Sequence, residues 1–160
     1  VKVCERFQKH YDLTPQSKIL DVGCAKGFMM HDFRKVIPGV TVAGIDVSQY
    51  ALDNAMEDVR PFMQKGSAVK LPYADKSFDL VISINTIHNL NPEDCKTAVQ
   101  EIERVGRKHK FVVIDAYHNE EEKTRLLKWN LTAKCHMYCD EWVKFFKEAG
   151  YTGDYYWFIP

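Results

Sequence analysis

The chain has 160 residues, 46% hydrophobic and 28% charged, and its 22 basic and 22 acidic side chains balance to a net charge of zero. That length supports a single domain with one good core. The neutral total offers no field for nucleic acid or an anionic membrane, and no run of about 18 apolar residues provides a membrane span.

In chain order, strand and helix signals alternate. A helix is expected over 1–11; its first residues, Val1-Lys2-Val3-Cys4-Glu5-Arg6, lack the apolar core of a signal peptide. Strand 18–22 leads into helix 27–36, stopped by Pro38-Gly39, and strand 40–46 follows. Ser48 is a candidate cap for a helix over 51–58. A short strand over 62–67 and a loop over 71–77 precede strand 78–84, whose near-continuous apolar run implies burial on both faces. Pro92 starts a helix that reaches Val105. Strand 110–116, helices 119–129 and 140–149, the C-cap Gly150 and a closing strand 155–159 complete the order. Trp129, Trp142, Phe145 and Phe146 fall at helical spacing and are expected in the core. The aromatic run Tyr155-Tyr156-Trp157-Phe158 reads as a strand packed between helices, or alternatively as an aromatic wall for a ligand or a dimer surface.

Alternation of this kind predicts an α/β fold: a doubly wound, Rossmann-like, mostly parallel sheet with helices on both faces. Ligands of such sheets bind beyond the carboxyl ends of the strands, where strand order reverses. Asp21, Asp46, Ser67, Asn85 and Asp115 all fall at or near those ends. The five cysteines are odd in number and scattered, which argues for free thiols in a reducing, cytoplasmic compartment. Cys135-His136-x-x-Cys139 has no second ligand pair, so no metal is expected.

The most informative stretch is Ile19-Leu20-Asp21-Val22-Gly23-Cys24-Ala25-Lys26-Gly27-Phe28, followed by a second apolar strand ending at Asp46. Glycines let backbone approach a ligand, and a carboxylate closing the second strand suits a ribose diol. A dinucleotide fingerprint needs G-x-G-x-x-G. Here the spacing is Gly23-x-x-x-Gly27, and Asp21 ahead of it would repel a pyrophosphate but attract an ammonium. An NAD(P)-dependent oxidoreductase is therefore the weaker alternative.

The stretch resembles motif I, D-x-G-x-G-x-G, of the class I S-adenosylmethionine-dependent methyltransferases, with Ala25 in place of the middle glycine. Further landmarks follow in order. Gly44-Ile45-Asp46-Val47-Ser48 resembles the family's ribose-binding strand end. Gly66-Ser67-Ala68-Val69-Lys70-Leu71-Pro72-Tyr73 is similar to the stretch over the adenine, with Ser67 where the family has Asp. Ser77-Phe78-Asp79-Leu80-Val81 and Asn85-Thr86-Ile87-His88-Asn89-Leu90 resemble the strand and loop beside the methyl donor. Glu101 to Val105 and Glu141-Trp142 through Gly150-Tyr151 match later segments. The likeness covers about residues 18 to 151 and is greatest to the ubiquinone and menaquinone methyltransferase branch.

The resemblance implies S-adenosyl-L-methionine as cofactor, held by Asp21, Gly23, Cys24, Ala25, Gly27, Asp46, Val47, Ser67, Ala68 and Asn85. It implies transfer to a small-molecule acceptor, with no nucleic acid or membrane partner, and His88 as the candidate general base. Tyr117 and His118 are candidates for acceptor contact. A non-catalytic domain that keeps the donor pocket is the other alternative. One domain is expected over 1–160. The family carries more chain ahead of the first strand, which leaves open either a minimal member or a shortened N-terminus. Oligomeric state is open.

Overall fold

Leu20, Val22, Leu80, Val81 and Ile82 are almost wholly buried, and such residues on consecutive positions need apolar cover on both faces of a sheet. In the computed structural model, which describes residues 1–159, two layers of helices supply that cover. The elements are α1 (Lys2–His10), β1 (Lys18–Val22), α2 (Phe28–Val36), β2 (Thr41–Asp46), α3 (Gln49–Asp53), β3 (Met63–Lys65), β4 (Phe78–Ile84), α4 (Pro92–Val105), β5 (Gly106–Tyr117), α5 (Glu120–Trp129), β6 (Met137–Tyr138), α6 (Cys139–Ala149) and β7 (Asp154–Phe158). The sheet runs β3-β2-β1-β4-β5, and β6 and β7 pair successive stretches of β5. Every pairing among the described residues is parallel.

Alternation along each strand sorts its side chains. Ile19, Leu80 and Ile82 join Phe7 of α1 and Met30 and Phe33 of α2 on one face. Leu20, Val22, Val81, Val112 and Ile114 meet Ala98, Val99 and Ile102 of α4 and Trp142 and Phe146 of α6 on the other. The α/β doubly wound architecture is thus as expected, and no described helix is long and apolar enough to cross a membrane.

The helix ends follow their caps. Ser48 Oγ accepts the Ala51 N–H, Asn91 Oδ1 accepts that of Asp94, and Asn119 Oδ1 accepts that of Glu122. Gly150 closes α6 in the left-handed region at φ 74°.

Three expectations are corrected. The helix after Ser48 ends at Asp53 instead of Asp58, because the chain turns so that the Met56 N–H can donate to the Lys26 carbonyl at 3.1 Å. β5 begins at Gly106 instead of Lys110: the Asp79 carboxylate accepts from the Lys18 N–H and from the Arg107 guanidinium, at 3.0 and 2.6 Å, and so secures a polar segment as strand. Trp129 is not core; it ends α5 with 54% of its surface exposed.

Those contacts hold the Asp79 carboxyl below the usual carboxylate range despite its burial. Asp79→Ala is expected to destabilise the fold by about 1.5–3 kcal/mol near neutral pH. Because the folded value is depressed, the contribution is present above about pH 4 and is lost as pH falls through the folded value. Thermal denaturation of both proteins at pH 7 and pH 3 reads the difference; an equal deficit at both values would contradict the assignment.

Candidate functional site

Strand order reverses between β1 and β4. The chain leaves β1 for α2 on one face and β4 for α4 on the other, which opens a crevice at the carboxyl ends. A cavity of about 340 Å³ lies there.

The loop after β1 is pinned from below. The Gly23 and Cys24 N–H groups both donate to the Ile45 carbonyl, at 2.8 and 3.1 Å, and Gly27 N–H donates to Cys24 O at 2.8 Å. Gly23 takes φ 81°, and a Cβ there would come within 2.2 Å of the Thr86 side chain, so no larger residue fits without moving the loop after β4. Ala25 also sits in the left-handed region, at φ 46°. That conformation costs an alanine roughly 1–2 kcal/mol. Asp46 holds it there: Oδ2 accepts the Ala25 N–H at 2.8 Å while Oδ1 accepts the Ser48 N–H at 2.9 Å.

Of the residues expected to hold the cofactor, Gly23, Ala25, Asp46, Val47, Ser67, Ala68 and Asn85 line this cavity together. Asp21, Cys24 and Gly27 do not line it. Cys24 turns its thiol inward, against the backbone of Gly44 beside Met30. Gly27 begins α2 at φ 78° with Val59 packed over it. Asp21 is 4% exposed, and among the described residues no donor reaches its carboxylate. Burial, with the Asp46 charge adding to it, pushes its pKa up to about 7.

The loop under the cavity's far wall is clamped by a pattern the sequence signalled only as a matching helix. Glu101 accepts the Leu71 N–H at 2.7 Å, and Arg104 spans Glu101, Asp75 and the carbonyls of Leu71 and Tyr73. An acid and a base one helical turn apart thereby fix the segment that follows Ser67 and Ala68.

His88 lies in a 3₁₀ turn, Ile87–Asn89, and is 3% exposed. It borders a second cavity, of about 200 Å³, which shares Asn85 with the first. Its Nδ1 accepts the Asp115 N–H at 3.1 Å, and its Nε2 stands 3.6 Å from Asp115 Oδ2. Burial lowers its pKa to about 4. The ring is therefore neutral at pH 7, with its hydrogen on Nε2. Tyr117 is buried at the end of β5, and His118 is exposed beside Glu122, 3.1 Å away; neither borders these two cavities, and His118 lines a separate, open one of about 480 Å³ with Tyr138 and Glu141. The segment Trp129 to Thr132 lines the second cavity; nothing in its spacing announced this, because it reaches the site only through the tertiary fold.

The cavity between β1, β2 and β4 fits S-adenosylmethionine on its own chemistry. Asp46 spends one lone pair of each oxygen on the loop and keeps the others for a diol. Val47, Ala68 and Leu90 offer apolar walls to a base. No Lys or Arg lines the cavity, so a pyrophosphate would find no counter-charge; its one acidic lining residue is Asp46.

Residues 20–114 match the family described as methyltransferase domain. The chain is 36% identical over 130 residues to a tRNA (carboxymethyluridine(34)-5-O)-methyltransferase of Arabidopsis thaliana, covering 79% of this chain and 30% of that protein. It is 26% identical over 131 residues to sterol 24-C-methyltransferase ERG6B of Gibberella zeae, covering 74% and 34%. The crystal structure of the YcgJ protein from Bacillus subtilis superposes with a TM-score of 0.73 at 21% identity, over 93% of this chain and 68% of that one. The chain thus spans about a third of the length of the two curated relatives. It belongs to the methyltransferase domain family, the class I fold whose cofactor is S-adenosylmethionine.

Proposed function

We propose that the protein transfers the methyl group of S-adenosylmethionine to a small-molecule acceptor, acting as one methyltransferase domain over 1–160 in the cytoplasm. The observation that carries the donor side is the cavity at the strand reversal, where a glycine loop faces Asp46. In this reading Asp46 binds the ribose hydroxyls, Val47, Ser67 and Ala68 face the adenine, and Gly23, Ala25 and Asn85 border the methionine part. Asp21 holds the amino group through water or the loop amides around Gly23, Cys24 and Gly27. The order of landmarks supports a place beside the ubiquinone and menaquinone branch.

The bound donor supplies an activated methyl on a sulfonium. The protein's part is to align it with the acceptor and keep the site dry. The small size of the second cavity and the neutral chain favour a small acceptor. The likeness to the Arabidopsis enzyme is the observation that favours a second reading, tRNA as acceptor. The five free thiols support a reducing compartment.

Calorimetry is expected to show binding of S-adenosylhomocysteine and far weaker binding of NAD. No heat with the former at millimolar concentration would remove the donor assignment. Asp46→Ala should weaken that binding by about 1.5–3 kcal/mol.

Asp21 ties donor affinity to pH. Its folded pKa of about 7 lies above the unfolded value near 3.9. The carboxyl's contribution to stability in the ligand-free protein is thus fully present below about 3.9 and is lost as pH rises through about 7. A cationic ligand selects the carboxylate, so affinity should fall as pH drops below about 7. Titrations from pH 5.5 to 8 test this, and Asp21→Asn should flatten the profile.

His88 has one ring nitrogen engaged with Asp115 N–H and a low pKa, so it serves as a positioning group here. His88→Ala should lower turnover by less than about tenfold with no new inflection near pH 6.5; a loss of about 10²–10⁴-fold that follows an imidazole titration would make it the general base.

A further inference from the structure

The second cavity contains a buried carboxylate that no Lys or Arg meets there. Asp115 lies two residues before the end of β5 with its side chain 4% exposed, and the nearest side-chain donor to its carboxylate is the neutral His88 Nε2–H, 3.6 Å away. No Lys or Arg lines the cavity. His88 faces it from the 3₁₀ turn after β4 but is neutral, with its Nδ1 taken by the Asp115 N–H. His136, on the segment before β6, is the other titratable neighbour, and a charge there lowers the Asp115 pKa. A buried carboxylate without a partner is costly, and a cationic ligand relieves that cost.

The opposite wall provides the complement. Trp129 presents an indole that is 54% exposed, braced by the Phe158 ring at 5.3 Å between centroids. Leu131, 95% exposed, extends the apolar rim. The Asn130 side chain is engaged within its own turn, its Oδ1 accepting from the Thr132 and Ala133 N–H groups and one Nδ2–H donating to the Ala133 carbonyl. It fixes Trp129 and Leu131 at the mouth and leaves Asp115 as the charged group at the floor. A carboxylate and a half-exposed indole lining one cavity are the chemistry that recognises an ammonium.

We propose that this cavity takes an amine, that Asp115 is its counter-ion and proton acceptor, and that the methyl group is transferred to nitrogen. This rests on the donor reading above, since Asn85 joins the two cavities. In the reaction the ammonium gives one proton to an Asp115 carboxylate oxygen. The freed nitrogen lone pair forms the bond to the methyl carbon. The carbon–sulfur bond breaks with its electron pair on sulfur, leaving a neutral thioether. Asp115 then releases the proton to water. Burial raises the Asp115 pKa, which favours its acceptance of that proton. His88 is a positioning residue, holding Asp115 through the backbone N–H.

Three probes with one ring and different head groups test this on the protein saturated with S-adenosylhomocysteine: benzylamine, benzyl alcohol and benzoate. Calorimetry should show benzylamine binding at least about tenfold tighter than the other two, as a charge-assisted contact requires. Labelled S-adenosylmethionine should methylate benzylamine. Asp115→Asn should abolish the preference and lower turnover at least about 100-fold, with S-adenosylhomocysteine affinity unchanged as proof of folding. Trp129→Ala should weaken benzylamine by about 2- to 30-fold. Equal or tighter binding of benzyl alcohol or benzoate overturns the proposal, as does binding of none of the three. So does a preference that survives Asp115→Asn. If Asp115→Asn weakens S-adenosylmethionine more than S-adenosylhomocysteine, its charge serves the sulfonium and the proposal falls. Failure of S-adenosylhomocysteine to bind at all is the separate failure of the donor reading.

Discussion

The site exists because β1 and β4 are neighbours in space whose following segments depart to opposite faces of the sheet. Two parallel strands buried on both sides must each be followed by a helix that covers one face. Where the choice of face changes, the helices part, and the strand ends are left with a gap that no side chain fills. The rest of the local structure stabilises the edges of that gap. Ile45 O gathers two loop amides, Asp46 holds a third, and Thr86 packs where Gly23 has no Cβ. Three strands therefore fix one loop, and its geometry requires few specific contacts from the loop itself.

The sequence made this part legible because its constraints are local and steric. A glycine at Gly23, a carboxylate at the end of β2 and an apolar β4 each have a narrow set of structural meanings, and each can be read from its own few residues of sequence. Ala25 departs from the glycine pattern, yet the Asp46 carboxylate holds it in the left-handed region all the same. The misread elements depend instead on distant partners. Arg107 and Lys108 look like loop until Asp79 is placed beside them. Trp129 has core spacing on α5, but it is the last residue of that helix, three past the buried Leu126, and its indole lines a cavity half-exposed. The pairing of His88 with Asp115 joins residues 27 apart in sequence, and only the β4–β5 register brings them together.

Electrostatics joins the two cavities into one surface. Asp21, Asp46 and Asp115 stand at the ends of β1, β2 and β5, and no Lys or Arg lines either cavity. The chain has as many bases as acids, so this is an arrangement and not a surplus. The basic groups sit elsewhere: Arg104 clamps a loop, Arg107 and Lys108 meet Asp79 at the amino ends of the strands, and Lys110 pairs with Glu103. The cavity linings are therefore acidic without a base, while Asp79 at the amino ends of the strands is paired.

That asymmetry has a consequence for turnover. A carboxylate with little water around it attracts a cation strongly and a neutral molecule hardly at all. Methyl transfer removes the sulfonium charge, so any part of the negative surface that faces sulfur favours the donor over its product. The ammonium of the donor persists through the reaction, and a carboxylate serving it, as Asp21 is proposed to do, holds both forms equally. Discrimination between substrate and product thus has to come from groups at the junction of the two cavities, where Asn85 lines both. Asp115 lies beyond that junction, in the second cavity, where its charge is proposed to serve the acceptor and not the sulfonium. A residue so placed can receive a proton when the acceptor loses one, and its own neutralisation then weakens its hold on the methylated product.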